Sequence, residues 1–383
     1  MFRPKAPIGV DIGSHTVKVC QLRQAGETIE LEKFGIATIY PTGDHPSDPR
    51  EQQALRIAAL KGALEVAEIK AKQTVSAVCG ESIIVRYLQL PEMPEDELKK
   101  ALQWEAEEYI PFRLSEVNID SMILGRSNDG DHSKMDVLLV SAKKDLVENH
   151  VAVIRAAGLE PRIVDVDSFA FLNCFEMNYR PAPEECVALV NIGGEITSMN
   201  IYCNGGSRFS RDIPIGGEMM TTAIKARLGC SFQEAERIKL LQGAPPVPAE
   251  SRDPASTYTG SLMDAIRGTV DEIQGADNTP EAQAGRAVQL VLSNLFSEVR
   301  RSIEFFENQY RGINVARIVL GGGTSLLNNM VENFERELRL PVEIIDPLRL
   351  VRLASRGIKD EQIKSIRHQL GVGIGLGIRG LAA

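Results

Sequence analysis

Within the first eighty residues, several short stretches alternate apolar and polar side chains, as strands do. One longer stretch instead repeats its apolar residues every three or four positions, as a helix does. Two short apolar steps run into Asp11, and Gly13 and Ser14 then make a tight turn. These patterns predict strands at 8–11, 17–22, 28–39 and 74–79 and a helix at 51–69. Three strands, a helix and a further strand predict an α/β half with a turn between its first two strands.

Residues 81–161 follow a plan of their own: a strand, a helix, two strands and a second helix. Pro94 begins the first helix and Pro111 ends it, while Gly158 closes the second. The predicted strands lie at 83–90, 118–125 and 135–142, and the predicted helices at 94–109 and 144–157. This order predicts a compact α/β subdomain. A short strand at 163–165 and a helix capped by Ser168 follow it.

The opening pattern recurs beyond Pro181 and Pro183, which mark a boundary. A buried strand at 187–191 meets a glycine turn, and the next strand alternates Thr197, Met199 and Ile201. Further strands are predicted at 207–214, 317–320 and 341–345. Further helices are predicted at 217–228 and 286–309, after Ser231 and Glu234, which form a capping box, and from the third glycine turn to Leu338. Residues 243–285 are rich in Pro, Ser, Thr and Asp, which predicts a mobile surface loop with a short helix near 262–273.

Composition narrows the class of protein. A chain of 383 residues is too long for one ordinary core, and a net charge of −9 with a pI near 5.3 argues against broad binding of nucleic acids or anionic membranes. No run approaches the roughly twenty apolar residues of a spanning helix, so we expect a cytosolic protein. The six cysteines are scattered without a Cys-x-x-Cys pair, which predicts buried free thiols in a reducing compartment. The five histidines are dispersed too, which argues against a metal held by protein ligands alone.

The stretch from Ile8 to Lys18 carries the first candidate chemistry. A turn built on Gly13 lets backbone N–H groups converge on a phosphate, the Asp11 carboxylate can hold hydrated Mg²⁺, and Lys18 can neutralise phosphate charge. A plain β-turn would look the same in isolation. Two later glycine turns, one after the strand that ends at Asn191 and one at 321–323, also follow buried strands directly. Three such turns favour a nucleotide site.

With these turns in place the sequence resembles the actin-like ATPase superfamily over its whole length. The resemblance implies an α/β, two-domain fold of duplicated ribonuclease-H-like halves that holds ATP and Mg²⁺ between them. The resemblance implies that the first turn binds the phosphates and the metal, that the second turn faces the first across the nucleotide, and that the third turn lies beside the adenosine. The residues implied to bind the cofactor are Asp11 (which also holds Mg²⁺ through water), Gly13, Ser14, His15, Lys18, Gly193, Gly194, Thr197, Gly217, Glu236, Lys239, Gly321, Gly322, Gly323 and Ser325.

Within the superfamily, the inserted segment resembles the extra subdomain of the FtsA and PilM families. The words WEAEEYIPF, AAGLEP and GGGTSLLNNM resemble the PilM family of type IV pilus assembly proteins. FtsA-like proteins end in a linker and a membrane helix, whereas this sequence stops after its last element, which favours the PilM family. The implied subdomains are IA (1–81 with 162–186 and 366–383), IC (82–161), IIA (187–227 with 297–365) and IIB (228–296).

The PilM resemblance implies a nucleotide-bound scaffold without direct membrane insertion that captures the cytoplasmic N-terminal peptide of PilN beside the extra subdomain. It would link other pilus inner-membrane proteins to the motor and could form homo-oligomers. Two alternatives are a filament-forming cytoskeletal or division ATPase and a small-molecule kinase, although no convincing catalytic Asp stands out for the latter. Actin-like hydrolases usually begin the second turn with Asp, so Asn191 predicts slow or absent hydrolysis and no assigned catalytic residue.

Several residues have a structural reading beside the functional one. Glu236 and Lys239 are three apart on a helix and could form an ordinary exposed pair. Trp104, Tyr109 and Phe112 are expected mainly in the subdomain core, with a partner-binding groove edge as the alternative. The run GVGIGLGIRG at 371–380 could be taken for a dinucleotide fingerprint. It lacks a following strand and an acidic partner, so a glycine-rich final helix packed closely on the first domain is the prediction.

Overall fold

The computed structural model describes residues 6–41, 43, 45–129, 132–245, 279–354 and 363–382. Most of the predicted loop at 243–285, including its short helix, lies outside the described residues. The strands are β1 (Ile8–Ile12), β2 (Thr16–Ala25), β3 (Thr28–Thr38), β4 (Gln73–Val78), β5 (Ile83–Pro91), β6 (Val117–Asp129), β7 (His132–Lys143), β8 (Glu160–Val166), β9 (Val187–Ile192), β10 (Thr197–Cys203), β11 (Gly206–Ile213), β12 (Arg317–Gly321), β13 (Val342–Ile344) and β14 (Val351–Leu353). The helices are α1 (Pro49–Val66), α2 (Glu95–Tyr109), α3 (Lys144–Ala156), α4 (Asp167–Tyr179), α5 (Gly217–Leu228), α6 (Phe232–Gln242), α7 (Pro280–Gln309), α8 (Met330–Leu338) and α9 (Gly371–Ala382).

Two sheets repeat one plan, as the sequence predicts. The first has the order β14-β3-β2-β1-β4-β8 and the second the order β11-β10-β9-β12-β13. In each sheet an antiparallel three-strand meander is followed by parallel strands added beside its first strand. Asp11 pairs with Lys18 in the first hairpin, and Asn191 pairs with Ser198 in the second. Asn191 is therefore the counterpart of Asp11 in the duplicated plan.

Helices α4 and α9 lie between the two sheets. Their apolar side chains share one buried cluster with Cys20 and Leu22 of the first sheet and Val187 and Leu189 of the second. Glycines on α9 allow the helix to approach β1 and α4 closely. The run at 371–380 is thus a packing helix, which confirms the structural reading of that segment.

The inserted segment forms a separate antiparallel sheet of order β5-β7-β6 with α2 packed on it. Leu98 and Leu102 of α2 are buried. Trp104 follows Leu102 by two positions, about 200° around the helix, and its side chain is 76% exposed. The expected core position of Trp104 is therefore wrong. Tyr109 is also exposed, whereas Phe112 packs against the core with Lys143 above its ring.

Two smaller predictions also change. Cys186 and Cys203 form a disulfide, so the expectation that every cysteine is a free thiol is wrong for this pair. The hairpin register that pairs Val187 with Tyr202 brings these two cysteines opposite each other, 17 residues apart in the sequence. Strand β14, within the segment assigned to subdomain IIA, joins the first sheet beside β3.

The helix caps follow the sequence in some places and not in others. Ser231 caps α6 through a hydrogen bond from the Glu234 backbone N–H, and Gly158 and Gly229 adopt positive φ after α3 and α5. Ser168, in contrast, is not the N-cap of α4. Its buried hydroxyl lies 2.8 Å from that of Ser210, and Asp167 begins the helix.

Candidate functional site

The first turn, residues 13–15, connects β1 to β2 and is closed by a hydrogen bond from Gly13 N–H to Thr16 O at 3.0 Å. The hairpin register places Asp11 opposite Lys18, and Lys18 Nζ lies 3.1 Å from Asp11 Oδ2. The Asp11 side chain is 8% and the Lys18 side chain 12% exposed. A partly desolvated acid and base therefore stand together at the end of the strand.

The second turn, residues 193–196, repeats this geometry with a hydrogen bond from Gly193 N–H to Ile196 O at 2.9 Å. The two turns face each other so closely that a Cβ on Gly194 would lie 2.4 Å from the Ser14 hydroxyl. Thr197, predicted to bind the cofactor, is fully buried and donates to Ile215 O at 2.6 Å. Thr197 therefore stabilises the second turn from its buried side.

The third turn, residues 321–323, approaches the second from β12. Gly322 has φ +83°, and a Cβ on Gly321 would meet the ring of Phe171 at 2.4 Å. The hydroxyl of Ser325, another predicted cofactor residue, is turned back to Gly322 O at 2.8 Å. Thr324 donates to Gly193 O at 2.9 Å and so ties the second and third turns together. Of the predicted residues here, Gly322 and Gly323 line the space between the turns.

This space is part of a cavity of about 1170 Å³. We call the part of the cavity that the three turns line the cleft. Its wall includes these predicted cofactor residues: Asp11, Gly13, Ser14, His15, Lys18, Gly193, Gly194, Gly217, Glu236, Lys239, Gly322 and Gly323. Asn191 lines it as well. The fold thus brings most of the predicted set together, while Thr197, Gly321 and Ser325 stand behind the wall.

Lys239 has an internal role that the sequence does not reveal. Its ammonium group donates to Gly217 O at 3.1 Å and to Thr221 Oγ1 at 2.9 Å, and it lies 2.7 Å from Glu236 Oε2. These three contacts match the three N–H donors of a lysine. Burial lowers its pKa, and the nearby Glu236 carboxylate opposes that shift. Lys239 thereby anchors α6 to the start of α5, while the Glu236 side chain remains 35% exposed.

Asp167 is the acidic side chain that sequence reasoning missed. It lines the cleft at the start of α4, and burial, together with the charges of Asp11 and Asp212, raises its pKa to about 7. Asp212 accepts a hydrogen bond from Gly80 N–H at 2.6 Å, which links the two halves. In the sequence, the feature that points to Asp167 is its position just after the short strand predicted at 163–165. The neighbouring Ser168 was instead predicted as the N-cap of the helix, so Asp167 received no role.

These carboxylates fit the expected Mg²⁺. The Asp11 charge helps to raise the pKa of Asp167, and Lys18 can neutralise only one of the two carboxylates. Hard divalent cations prefer carboxylate oxygens and water, and Mg²⁺ usually keeps several of its waters. A hydrated Mg²⁺ would therefore be held by carboxylates already in place.

The same cavity continues away from the turns into a trough between α1 and α3, which we call the groove. Its lining residues from the two helices are Pro49, Arg50, Gln52, Gln53, Arg56, Leu146, Asn149, His150 and Val153. Arg56 Nε and His150 Nε2 are shielded from solvent, and neither makes a hydrogen bond within the described residues. Buried polar atoms of this kind normally have partners, so both are available to a ligand in the groove. Trp104, Tyr109 and Phe112 do not line it.

His150 should make stability depend on pH. Burial and then the charge of Arg56 lower its pKa to about 4, whereas the ordinary value is 6.5. Between these values only the unfolded chain binds the proton, so the contribution is complete above pH 6.5 and is lost as the pH falls towards 4. We expect a shift from pH 7 to pH 5 to reduce the free energy of unfolding by about 2 kcal/mol more in the wild type than in His150→Gln. Chemical denaturation at both pH values measures the difference, and parallel losses in the two proteins would contradict it.

A family model described as type IV pilus assembly protein PilM matches residues 9–251, and one for the cell division protein FtsA matches residues 188–367. Among solved structures, a PilM-PilN type IV pilus biogenesis complex is similar to this chain with a TM-score of 0.78 and 25% identity, covering 99% of both chains. The ethanolamine utilization protein EutJ from Carboxydothermus hydrogenoformans shows a likeness of fold alone, with a TM-score of 0.51 and 14% identity over 98% of this chain and 90% of that one.

Curated relatives point the same way. FtsA from Neisseria meningitidis serogroup B is 29% identical over 175 residues, which are 44% of this chain and 38% of the relative. FtsA from Pseudomonas aeruginosa is 25% identical over 242 residues, 62% of this chain and 52% of the relative. The matches therefore span only part of each relative. Together with the duplicated sheets and the inserted subdomain, they establish the actin-like fold predicted from the sequence.

Proposed function

Because this chain belongs to the PilM family of type IV pilus assembly proteins, we propose that it is an ATP-binding scaffold of the pilus inner-membrane complex. It holds the cytoplasmic N-terminal peptide of PilN and links the alignment complex to the cytoplasmic motor. A PilM-PilN complex is among the structures it resembles. The observation that carries the proposal is the continuity of the cleft and the groove, because one cavity then serves a nucleotide and a peptide. Among the described residues, no helix is both long and apolar enough to cross a membrane.

ATP would lie with its phosphates between the first and second turns and its adenosine between the third turn and α6. Ser14 faces Gly194 there, and Lys18 supplies the positive charge. Mg²⁺ would neutralise phosphate charge next to Asp11 and Asp167. Glu236 offers a partly exposed carboxylate of α6 on the adenosine side, whereas the contacts of Lys239 are internal.

Hydrolysis should be slow or absent. Asn191 occupies the position equivalent to Asp11 in the second half, and an amide cannot accept a proton from an attacking water. Asp167 is buried with a raised pKa, so it remains the group to test in any residual reaction. Phosphate release at the rate of a working ATPase, abolished in Asp167→Asn, would show instead that the protein turns ATP over.

The groove suits an extended peptide. Arg56, Gln53 and Asn149 offer polar contacts to peptide carbonyls, while Leu146 and Val153 offer apolar surface to its side chains. One wall is α1 and the other is α3, the last helix of the inserted segment. Buried side chains of both helices belong to one apolar cluster with β1 and β2. Closure of the cleft on ATP would change the shape of the groove, which opens from the same cavity, provided that the peptide binds the two states with different affinity.

Arg56→Gln should weaken binding of the PilN peptide by about tenfold or more, because a hydrogen bond to a charged group contributes about 1.5–3 kcal/mol. Titration of a labelled peptide against the apo and ATP-loaded protein measures both affinities. Arg155→Gln is the matched control, since it removes an exposed charge near the end of α3 outside the groove. Equal weakening by both variants would exclude the groove, and equal affinity of the apo and ATP-loaded wild type would exclude the coupling.

A filament-forming ATPase is the second candidate, favoured by the FtsA model match over residues 188–367. Sedimentation of the pure protein with and without ATP distinguishes the two. A scaffold stays in the supernatant at all concentrations tested, whereas a filament pellets with ATP above a critical concentration.

A further inference from the structure

Two histidines and a glutamate converge where the two halves meet. His15 lies in the first turn and His45 in the connection after β3, both in the first half, while Glu218 begins α5 in the second half. One ligand atom from each of the three lies within 4.8 Å of the others. This is the only group of its kind among the described residues. The fold therefore brings together two histidines that are 30 positions apart in the sequence, where their spacing argued against a metal held by protein ligands alone.

The atoms that meet are all electron donors. His15 Nε2 lies 3.2 Å from Glu218 Oε2, and His45 Nε2 lies 3.8 Å from the same oxygen. Glu218 Oε2 and His45 Nε2 are shielded from solvent, and neither makes a hydrogen bond of acceptable geometry to any residue that the structure describes. A neutral imidazole has one N–H and one lone-pair nitrogen, so an Nε2 that carries the lone pair repels the carboxylate unless a cation lies between them.

The surroundings hold these donors in place. The His45 ring lies 4.1 Å, centroid to centroid, from the buried ring of Tyr40. Its other nitrogen, Nδ1, lies 3.7 Å from Glu195 Oε1, which leaves Nε2 as the ligand atom. A carboxylate behind a metal-binding histidine is the usual arrangement that fixes its tautomer and orientation. His15 is similarly close to an aromatic ring, that of Phe232.

We propose that His15, His45 and Glu218 bind a divalent cation of the Zn²⁺ class that joins the two halves across the mouth of the cleft. Two histidines and one glutamate are a known ligand set for Zn²⁺, with a fourth position left for water. Bonds of about 2.1 Å put tetrahedral ligands about 3.4 Å apart, so the present spacing needs only small side-chain movements. Mg²⁺ prefers oxygen ligands, which separates this site from the carboxylates around Asp11.

An ion at this site would hold the two halves in the closed arrangement, and we call this link the latch. Two of its ligands belong to one half and the third belongs to the other, so the ion binds the closed arrangement better than an open one. A ligand that binds one of two states more tightly shifts the population towards that state. The latch does not depend on the proposed function, because it needs neither nucleotide nor peptide.

The test uses the full chain, freed of metal with a chelator and kept without nucleotide. Zn²⁺ should raise the thermal unfolding midpoint in a concentration-dependent way, and Co²⁺ should give the absorption of a tetrahedral site with nitrogen and oxygen ligands. His45→Gln and Glu218→Gln should each weaken binding by at least about tenfold, since even the outer partners of metal ligands contribute 10- to 100-fold. His368→Gln is the control, because His368 lies outside the cluster and contacts the Ile345 carbonyl.

Several results would overturn the latch. Equal Zn²⁺ stabilisation of wild type and both variants would place the ion elsewhere, and a thiolate-to-cobalt absorption band would assign it to a cysteine. No stabilisation of the wild type would mean that protons alone serve as the cation between these groups. If the variants do not fold, the wild-type cobalt spectrum still decides between imidazole and thiolate ligands. Since no nucleotide is present, a failure of ATP binding leaves this result unaffected.

Discussion

Gly375→Ala should destabilise the protein by about 3 kcal/mol or more. Gly375 lies on α9 where this helix crosses α4, and a Cβ there would stand 1.7 Å from the Ala170 carbonyl oxygen. That oxygen belongs to backbone inside a buried helix, so it cannot swing aside as a flexible side chain would. The helices would have to separate, and overpacking of a core costs about 1–3 kcal/mol and occasionally more.

Gly62→Ala is the matched control for this substitution. Gly62 is also a helical glycine, but among the described residues a Cβ there would meet only Ala37 Cβ at 3.8 Å, an ordinary contact. Alanine is favoured over glycine within a helix by about 0.8–1.0 kcal/mol, so we expect this variant to be slightly more stable than the wild type. Chemical denaturation of the three proteins gives the comparison. If Gly375→Ala were as stable as Gly62→Ala, the close crossing of α9 and α4 would be refuted.

This crossing also bears on the cleft. Gly9 of β1 lies against α9, since a Cβ on Gly9 would stand 2.3 Å from Gly373 O. Strand β1 ends at the first turn and carries Asp11. Displacement of α9 would therefore move the strand that positions the predicted metal ligand, so Gly375→Ala should weaken nucleotide binding as well.

Local patterns predicted the elements that local chemistry determines. The alternating runs gave the strands of both hairpins, and Ser231 and Gly158 marked helix ends that the structure confirms. The repeated order of strand, glycine turn and strand was sufficient to predict the duplicated fold, because each half forms its three-strand meander from consecutive strands of the chain.

What the sequence could not predict depends on contacts between distant segments. Strand β14 is three residues long and is defined by its pairing with β3, more than 300 residues earlier. The disulfide follows from hairpin register, and Asp167 enters the cleft because β8 ends beside β4. His15 and His45 meet Glu218 only after the halves close. None of these pairings leaves a periodic signal in the chain.

Asp11→Asn should weaken binding of MgATP by at least about tenfold and up to about a hundredfold. The substitution removes the charge that would hold hydrated Mg²⁺, and an interaction with a charged group contributes about 1.5–3 kcal/mol. It keeps the shape of the side chain and leaves the β1–β2 register in place. Titration calorimetry with ATP and excess Mg²⁺ measures the loss. Asp120→Asn, which neutralises an exposed carboxylate on β6, is the control and should bind as the wild type does.

Removal of the metal should reverse the order of the two proteins. Without Mg²⁺, the Asp11 carboxylate of the wild type repels the phosphates and also engages Lys18, whose Nζ lies 3.1 Å away. In Asp11→Asn the lysine is released to the phosphates, so ATP alone should bind the variant at least as tightly as the wild type. Weakening by the same factor with and without Mg²⁺ would contradict a metal role and would leave Asp11 as a structural partner of Lys18. A reversal of order, in contrast, requires that the carboxylate act through the cation, because a merely structural defect would weaken both forms alike.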